Sequence, residues 1–290
     1  MTIKDLLVHS SSALKNSSTP TLDAELLLAH VLKKDRSYLI SHSEESLTEV
    51  QVKHFEELVT QRKNGKPIAY ITHEKEFFGH SFYVDERVLI PRPETEEIVE
   101  DVIEFAKKNP EVKTIIDLGT GSGAIAITLA HELPDHEIIA LEISSEALEV
   151  AKTNLQRYPS NNLQFIQSDL LSKLPALSRA EPRDTTYHLP ATILANLPYI
   201  GTETNRFISE ETEQYEPHLA LFGGSDGLEL YRRTWQQIKE KKLNLQALFM
   251  EIGFSQAERM EKEARAAFPE YHFEIKHDLA GLPRTAVLKR

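Results

Sequence analysis

The sequence predicts an α/β protein: a Rossmann-like open sheet, mostly parallel with helices on both faces, preceded by a small helical bundle and a β-hairpin. Three observations point there. From about residue 92 to the end, short apolar runs alternate with longer amphipathic segments. A glycine-rich stretch, Asp117-Leu118-Gly119-Thr120-Gly121-Ser122-Gly123, closes the first of those runs. Before residue 75 or so, the periodicity is helical only.

The elements follow in order. Thr2-Ile3-Lys4-Asp5 resembles a capping box, and Ile3, Leu6, Leu7, Ser10 and Leu14 share a helical face. A second helix starts near Thr21 and carries Leu22, Leu26, Ala29, Val31 and Leu32. A third follows Thr48, with Val52, Phe55 and Val59 on one face. Gly65 and Pro67 break the pattern. Residues 1–75 therefore form one domain, the helical bundle.

Phe77, Phe78, Gly79, Phe82, Val84 and Val88 predict a hairpin over residues 76–91, acting as a connector. Pro91-Arg92-Pro93 ends it, and Glu94-Thr95-Glu96 opens a helix through Lys108, beginning the large domain of residues 92–290. Strands are expected at 114–118, 137–143, 163–167, 191–195 and 245–252. Helices are expected at 123–131, 145–158, 228–241 and 256–268. The chain closes on strands at 271–277 and 285–289, joined by a turn with Gly281 and Pro283. That last pair has no crossover helix, so one strand of the sheet is antiparallel. Residues 178–190 read as a surface insertion.

Composition narrows the function classes. No apolar run approaches the roughly 18 residues of a membrane span. The start of the chain lacks the basic and apolar regions of a secretory signal, and there are no cysteines, which removes disulfides and thiol catalysis. A cytoplasmic protein is expected. The net charge of −12 argues against non-specific nucleic-acid binding, which rests on cationic side chains, and suits a basic protein partner. His30, His73 and His131 share no metal-ligand spacing, so no metal site is expected. Trp235 reads as a packing anchor, and Glu261-Lys262-Glu263 as a solvated helix face.

The glycine loop puts three glycines between a strand end and a helix start, where the backbone turns tightly and free N–H groups face outward. They can meet a pyrophosphate or the carboxylate of S-adenosylmethionine. With Ala124 the run also satisfies the dinucleotide fingerprint, so both classes stay open. Glu142, ending the second strand, is placed for ribose hydroxyls in either class. Asp169 can hold an adenine amino group, with Leu170 against the ring. Asn196-Leu197-Pro198-Tyr199 follows the fourth strand and resembles the Asn-Pro-Pro-Tyr motif of amino-group methyltransferases. An amide nitrogen is a poor nucleophile and must be held in line with the methyl group. The Asn196 oxygen can accept one of its N–H groups, a carbonyl of Leu197 or Pro198 the other, and Tyr199 can pack on the planar group.

Further segments carry a narrower resemblance. Leu22-Asp23-Ala24-Glu25-Leu26-Leu27-Leu28-Ala29-His30, Gly65-Lys66-Pro67-Ile68-Ala69-Tyr70-Ile71, Leu89-Ile90-Pro91-Arg92-Pro93-Glu94-Thr95-Glu96, Tyr215-Glu216-Pro217-His218-Leu219-Ala220-Leu221, Asp226-Gly227-Leu228 and Asp278-Leu279-Ala280-Gly281 are similar to the release-factor glutamine methyltransferases. The resemblance implies a helical substrate-docking domain and an S-adenosylmethionine-dependent methyltransferase domain. It implies that Gly119, Thr120, Gly121, Ser122, Gly123, Glu142, Leu170 and Asn196 contact S-adenosylmethionine, and Asp169 joins them from its place at the end of the third strand. Asn196, Leu197, Pro198 and Tyr199 would hold the glutamine of a Gly-Gly-Gln loop in class I release factors, with Asn196, Pro198 and Tyr199 catalytic. The 91–96 segment would lie near the cofactor. A monomer that binds neither membrane nor nucleic acid is expected.

One departure is visible: the family usually has proline where this chain has Leu197. Base methyltransferases that modify ribosomal-RNA adenines also place an aliphatic residue there, and an adenine-N6 methyltransferase acting on RNA or DNA is the alternative. A nicotinamide dehydrogenase leaves residues 196–199 unexplained. A non-enzymatic adaptor leaves Asn196, Pro198 and Tyr199 without a use.

Overall fold

The computed structural model describes residues 1–174, 190–202 and 208–290. The chain divides into two compact units, Met1–Glu74 with Ser209–Tyr215, and Lys75–Ile208 with Glu216–Arg290.

The first unit contains α1 (Ile3–Ala13), α2 (Pro20–Leu32), α3 (Arg36–Ser41), α4 (Glu49–Lys63) and α5 (Ile68–Thr72). Thr2 and Asp5 close the expected capping box, and Thr48 and Gln51 close another at the start of α4. Ile3, Leu6, Leu27, Leu28, Leu39 and Phe55 form the centre of its core. The buried face of α2 differs from the expected one: Ala24, Leu27 and Leu28 point inward and Leu22 outward. Four leucines within seven residues offer two apolar faces, and periodicity alone does not choose between them.

Asp23, also buried, decides the matter. It accepts hydrogen bonds from the hydroxyls of Ser17 (2.6 Å) and Thr19 (2.9 Å) and from Arg62 Nε (2.6 Å). Arg62 reaches on to Glu211 (2.6 Å) at the start of a short helix, α9 (Glu210–Tyr215). The Tyr215 hydroxyl donates to the Asn64 carbonyl at 2.9 Å, so this segment, distant in sequence, belongs to the helical unit.

The second unit opens with a hairpin of β1 (Lys75–Phe77) and β2 (His80–Phe82), in antiparallel register. Phe77 and Phe82 are wholly buried under α6 (Thr95–Lys108), each contributing about 2 kcal/mol of burial. Then come β3 (Thr114–Leu118), α7 (Ala124–Glu132), β4 (Glu137–Glu142), α8 (Ser145–Arg157), β5 (Leu163–Gln167) and β6 (Ala191–Ala195). After the short α10 (His218–Leu221) follow α11 (Glu229–Glu240), β7 (Leu245–Glu251), α12 (Ala257–Ala267), β8 (His272–His277) and β9 (Pro283–Lys289). Residues 178–189 of the expected insertion lie outside the described residues.

Among the described residues, the large sheet has seven strands in the order β5-β4-β3-β6-β7-β9-β8, and β9 is antiparallel to both neighbours. This is the expected mixed sheet with one reversed strand. Successive residues alternate between its faces. Ile116, Leu118, Ile193 and Leu248 pack against Tyr231, Trp235 and Met260 on one side, while Ile115, Leu194 and Phe249 pack against Val99, Val102 and Ile127 on the other. Trp235 anchors the first layer edge-to-face on Phe268, as expected of it. Of the expected solvated face, Glu263 instead pairs with Arg232 at 2.6 Å. The strand order reverses between β3 and β6, and the crevice at their carboxyl ends is where such sheets bind ligands.

Candidate active site

The sheet register brings the two sequence motifs side by side. Leu118 of β3 pairs with Ala195 of β6, so Gly119 and Asn196 leave adjacent strands at the same level. Gly121 has φ +53°, and a Cβ there would meet nothing within 4 Å: its backbone borders open space. Gly123, at φ +80°, is needed for packing, since a Cβ would stand 3.1 Å from that of Ala151 and 3.2 Å from the Phe165 ring. Asn154, fully buried on α8, ties the loop down by donating to the Ser122 carbonyl at 2.9 Å while bonding both backbone groups of Tyr83.

The motifs border a cavity of about 450 Å³ whose lining includes Gly119, Gly121, Glu142, Leu170, Asn196 and Pro198. Thr120, Ser122, Asp169 and Leu197 line it too, together with Pro91, Arg92 and Thr95 of the preceding segment. Each carboxylate oxygen of Glu142 accepts a backbone N–H, from Gly121 (2.9 Å) and Ser144 (3.0 Å), which fixes the group at the rim. Asp169 pairs with Arg233 at 2.6 Å. Leu170 takes φ +50°, held where the buried Ser168 hydroxyl donates to its carbonyl at 2.7 Å.

Tyr199 does not line the cavity; it sits behind it. Its hydroxyl faces Glu251 Oε1 at 3.4 Å, and burial, reinforced by the negative Glu251, holds the phenol protonated. Glu251 is itself buried, and its other oxygen accepts the Thr95 hydroxyl at 2.7 Å. Asn196 Nδ2 donates to Thr95 Oγ1 at 3.3 Å. Burial raises the Glu251 carboxyl, opposed by Thr95, the nearby Arg284 and Tyr199. Asp117, beneath the glycine loop, is wholly buried, and neither carboxyl oxygen makes a hydrogen bond of ordinary geometry. Burial pushes it up to about 7, the charge of Glu142 adds to the shift, and Thr120 and Ala126 lie close enough only to hold it back.

The loop after β6 is clamped by backbone contacts. A Cβ on Gly223 would lie 2.1 Å from the Pro198 carbonyl oxygen, and one on Gly227 2.0 Å from that of Tyr199. Gln256 donates to the carbonyls of Tyr199 (2.8 Å) and Asp226 (3.1 Å). Glu216, also buried, accepts the Ile90 N–H at 3.1 Å and pairs with Arg92, fixing the 91–96 segment at the rim. Glu251, Gln256 and Asn154 carried no signal as single letters, because their partners are distant in sequence, and Glu216 stood in a family-like segment with no role assigned to it.

The comparisons with known proteins agree with this geometry. The profile described as "PrmC N-terminal domain" matches residues 5–72, and that described as "Methyltransferase domain" matches residues 110–185. The chain is 37% identical over 290 residues to the release factor glutamine methyltransferase of Koribacter versatilis, covering 99% of this chain and 98% of that one. It belongs to the release factor glutamine methyltransferase family. Other relatives of that name match as fully: that of Bacillus cereus at 36% identity over 98% of both chains, and that of Coxiella burnetii at 37% over 100% and 99%. Among solved structures, the hMettl16 catalytic domain in complex with a MAT2A 3′UTR hairpin superposes with a TM-score of 0.54 at 16% identity, covering 83% of this chain and 82% of that one. That likeness shows the methyltransferase fold, as family membership requires. Among the described residues no helix is long and apolar enough to cross a membrane.

Proposed function

We propose that this enzyme transfers a methyl group from S-adenosylmethionine to the side-chain amide nitrogen of the glutamine in the Gly-Gly-Gln loop of class I release factors. The observation that carries the reading is Asn196 at the cavity, one strand from the glycine loop, in a chain related over its whole length to enzymes of that name. The cavity fits the cofactor: Gly121 leaves space for close approach, and Leu170 offers an apolar surface for the adenine. Gly119, Thr120, Gly121 and Ser122 hold the methionine part, Glu142 the ribose hydroxyls and Asp169 the adenine amino group; Gly123, expected at the cofactor, is not among the lining residues and closes the turn against Ala151.

S-adenosylmethionine supplies an electrophilic methyl group on a sulfonium. The chain's own residues orient the nucleophile. The Asn196 oxygen accepts one N–H of the target amide, and a carbonyl of Leu197 or Pro198 accepts the other, so the nitrogen faces the methyl group with little freedom to rotate. Both acceptors favour the positive charge that develops on nitrogen as the N–C bond forms and the C–S bond breaks. Tyr199, held protonated behind the loop, limits the motion of residues 196–199. The surplus proton leaves the nitrogen after transfer, so no strong base is needed.

In this reading residues 1–75 dock the release factor, residues 76–91 connect, and residues 92–290 carry the chemistry. The enzyme works as a cytoplasmic monomer. The experiment is Asn196→Ala: turnover falls about 1000-fold while cofactor affinity stays within about tenfold, because the lost group acts on the target amide. An active variant removes the proposed role.

A further inference from the structure

We propose that Thr95 and Glu251 form a directional hydrogen-bond relay that fixes the Asn196 amide with its oxygen, not its NH2, toward the incoming glutamine. The inference rests on Asn196 as the acceptor for the target amide. It adds what makes that side chain an acceptor at all.

An asparagine amide is nearly symmetric in shape, with a donor at one end and an acceptor at the other. A flipped Asn196 would fill the same space and present N–H groups to the N–H groups of the glutamine, donor against donor. Something must set the orientation. In its ionised form, which Arg284 favours and burial opposes, Glu251, the last residue of β7, can only accept. Its Oε2 takes the Thr95 hydroxyl proton at 2.7 Å. A threonine hydroxyl has one proton, so what Thr95 turns toward Asn196 is lone pairs. Asn196 can meet them only with Nδ2, which stands 3.3 Å away, and the amide oxygen is left for the cavity.

The start of the relay is supported from several elements. Burial works against a charged Glu251, and Arg284 on β9 opposes that effect, itself held by Asp278 at 3.1 Å. The Tyr199 hydroxyl faces the second carboxylate oxygen as a further donor. Glu94, before α6, is the nearby negative group. The buried Tyr231 hydroxyl donates to the Glu251 backbone carbonyl and lies 3.3 Å from that of Ala195, beside the ends of β7 and β6 from which Glu251 and Asn196 project. Thr95 is therefore a positioning residue in the first turn of α6, acting through Asn196. The relay also gives the Pro91-Arg92-Pro93-Glu94-Thr95-Glu96 segment a role in addition to lining the cavity.

The test uses the full chain with a release-factor substrate. Thr95→Val keeps the shape and removes the hydroxyl; Thr95→Ser keeps the hydroxyl; Glu251→Gln can turn an NH2 toward Thr95 and reverse the relay. Thr95→Val is expected to lower kcat about 100-fold with cofactor Kd and substrate KM each within about threefold of wild type, and Thr95→Ser to restore most of the rate. Glu251→Gln should resemble Thr95→Val. Independently of turnover, solvent exchange of the Asn196 side-chain NH2, read by NMR without cofactor, should be slow in wild type and Thr95→Ser and faster in Thr95→Val. A Thr95→Val enzyme with wild-type kcat, or unchanged NH2 exchange, overturns the relay while leaving the function reading in place. A loss that serine does not restore also overturns it. A wild-type enzyme that leaves the glutamine unmethylated overturns the function reading, and the relay with it.

Discussion

Gly223 lies so close to Pro198 that a Cβ on it would come within 2.1 Å of the Pro198 carbonyl oxygen. Backbone is packed on backbone there, and no side chain can move aside to relieve the contact. Gly223→Ala should therefore displace residues 196–199 rather than be absorbed locally. The expected result is a loss of about 100-fold in kcat, with the thermal midpoint lowered by several degrees, as about 2 kcal/mol of strain would produce. Steady-state kinetics and a melting curve check it; normal activity would mean the loop is free to shift.

Asp117 sets a pH dependence. Its carboxyl, ordinarily near 3.8, is pushed up to about 7 by burial, with Glu142 adding to the shift. A raised folded value means the folded state keeps a proton that the unfolded chain releases. The stability this contributes is complete below the unfolded value and is lost as pH rises through about 7. Between those limits wild type should lose stability relative to Asp117→Asn, at no more than about 1.4 kcal/mol per pH unit. Melting curves from pH 4 to pH 8, on the order of one per unit, compare the two; parallel curves would contradict the account.

Arg62 holds the helical unit through the buried Asp23 and through Glu211. Removing the cation leaves a buried carboxylate with hydroxyl partners only. Arg62→Ala is expected to cost about 3 kcal/mol. Limited proteolysis should then cut within residues 1–74 before the larger unit is attacked. Unchanged resistance would place the stability of this unit in its apolar core.

The strands at 114–118, 163–167 and 191–195 were legible to the residue, because each is a short run of apolar or β-favouring residues with turn formers nearby. The glycine loop and residues 196–199 were legible as letters, and the register of β6 on β3 brings them side by side. The helices α3, α5, α9 and α10 were not, since four to six residues are too few to show a period. Glu251 fell inside the strand expected at 245–252 and Gln256 at the start of the helix expected at 256–268, neither with a role of its own. Their significance is a distance to Thr95 and to Tyr199, which local pattern does not contain.

Leu197 stands where the family usually has proline. It is buried in the larger core, with Cδ2 3.2 Å from the position of a Cβ on Gly119. The Asn196 Nδ2 hydrogen bond to the Thr95 hydroxyl does not pass through that side chain. Leu197→Pro should cost about 1–2 kcal/mol of packing and leave kcat/KM on a release factor within about tenfold. A gain of 100-fold or so would mean this loop is tuned for another substrate, and the same variant assayed on RNA would show whether a base is that substrate.

The most direct measurement is methyl transfer from labelled S-adenosylmethionine to a purified class I release factor, followed by mass spectrometry of the loop peptide. The account predicts one methyl group, on the side-chain nitrogen of the Gly-Gly-Gln glutamine, made by wild type and lost in Asn196→Ala. An unmodified glutamine, in the presence of normal cofactor binding, would contradict it.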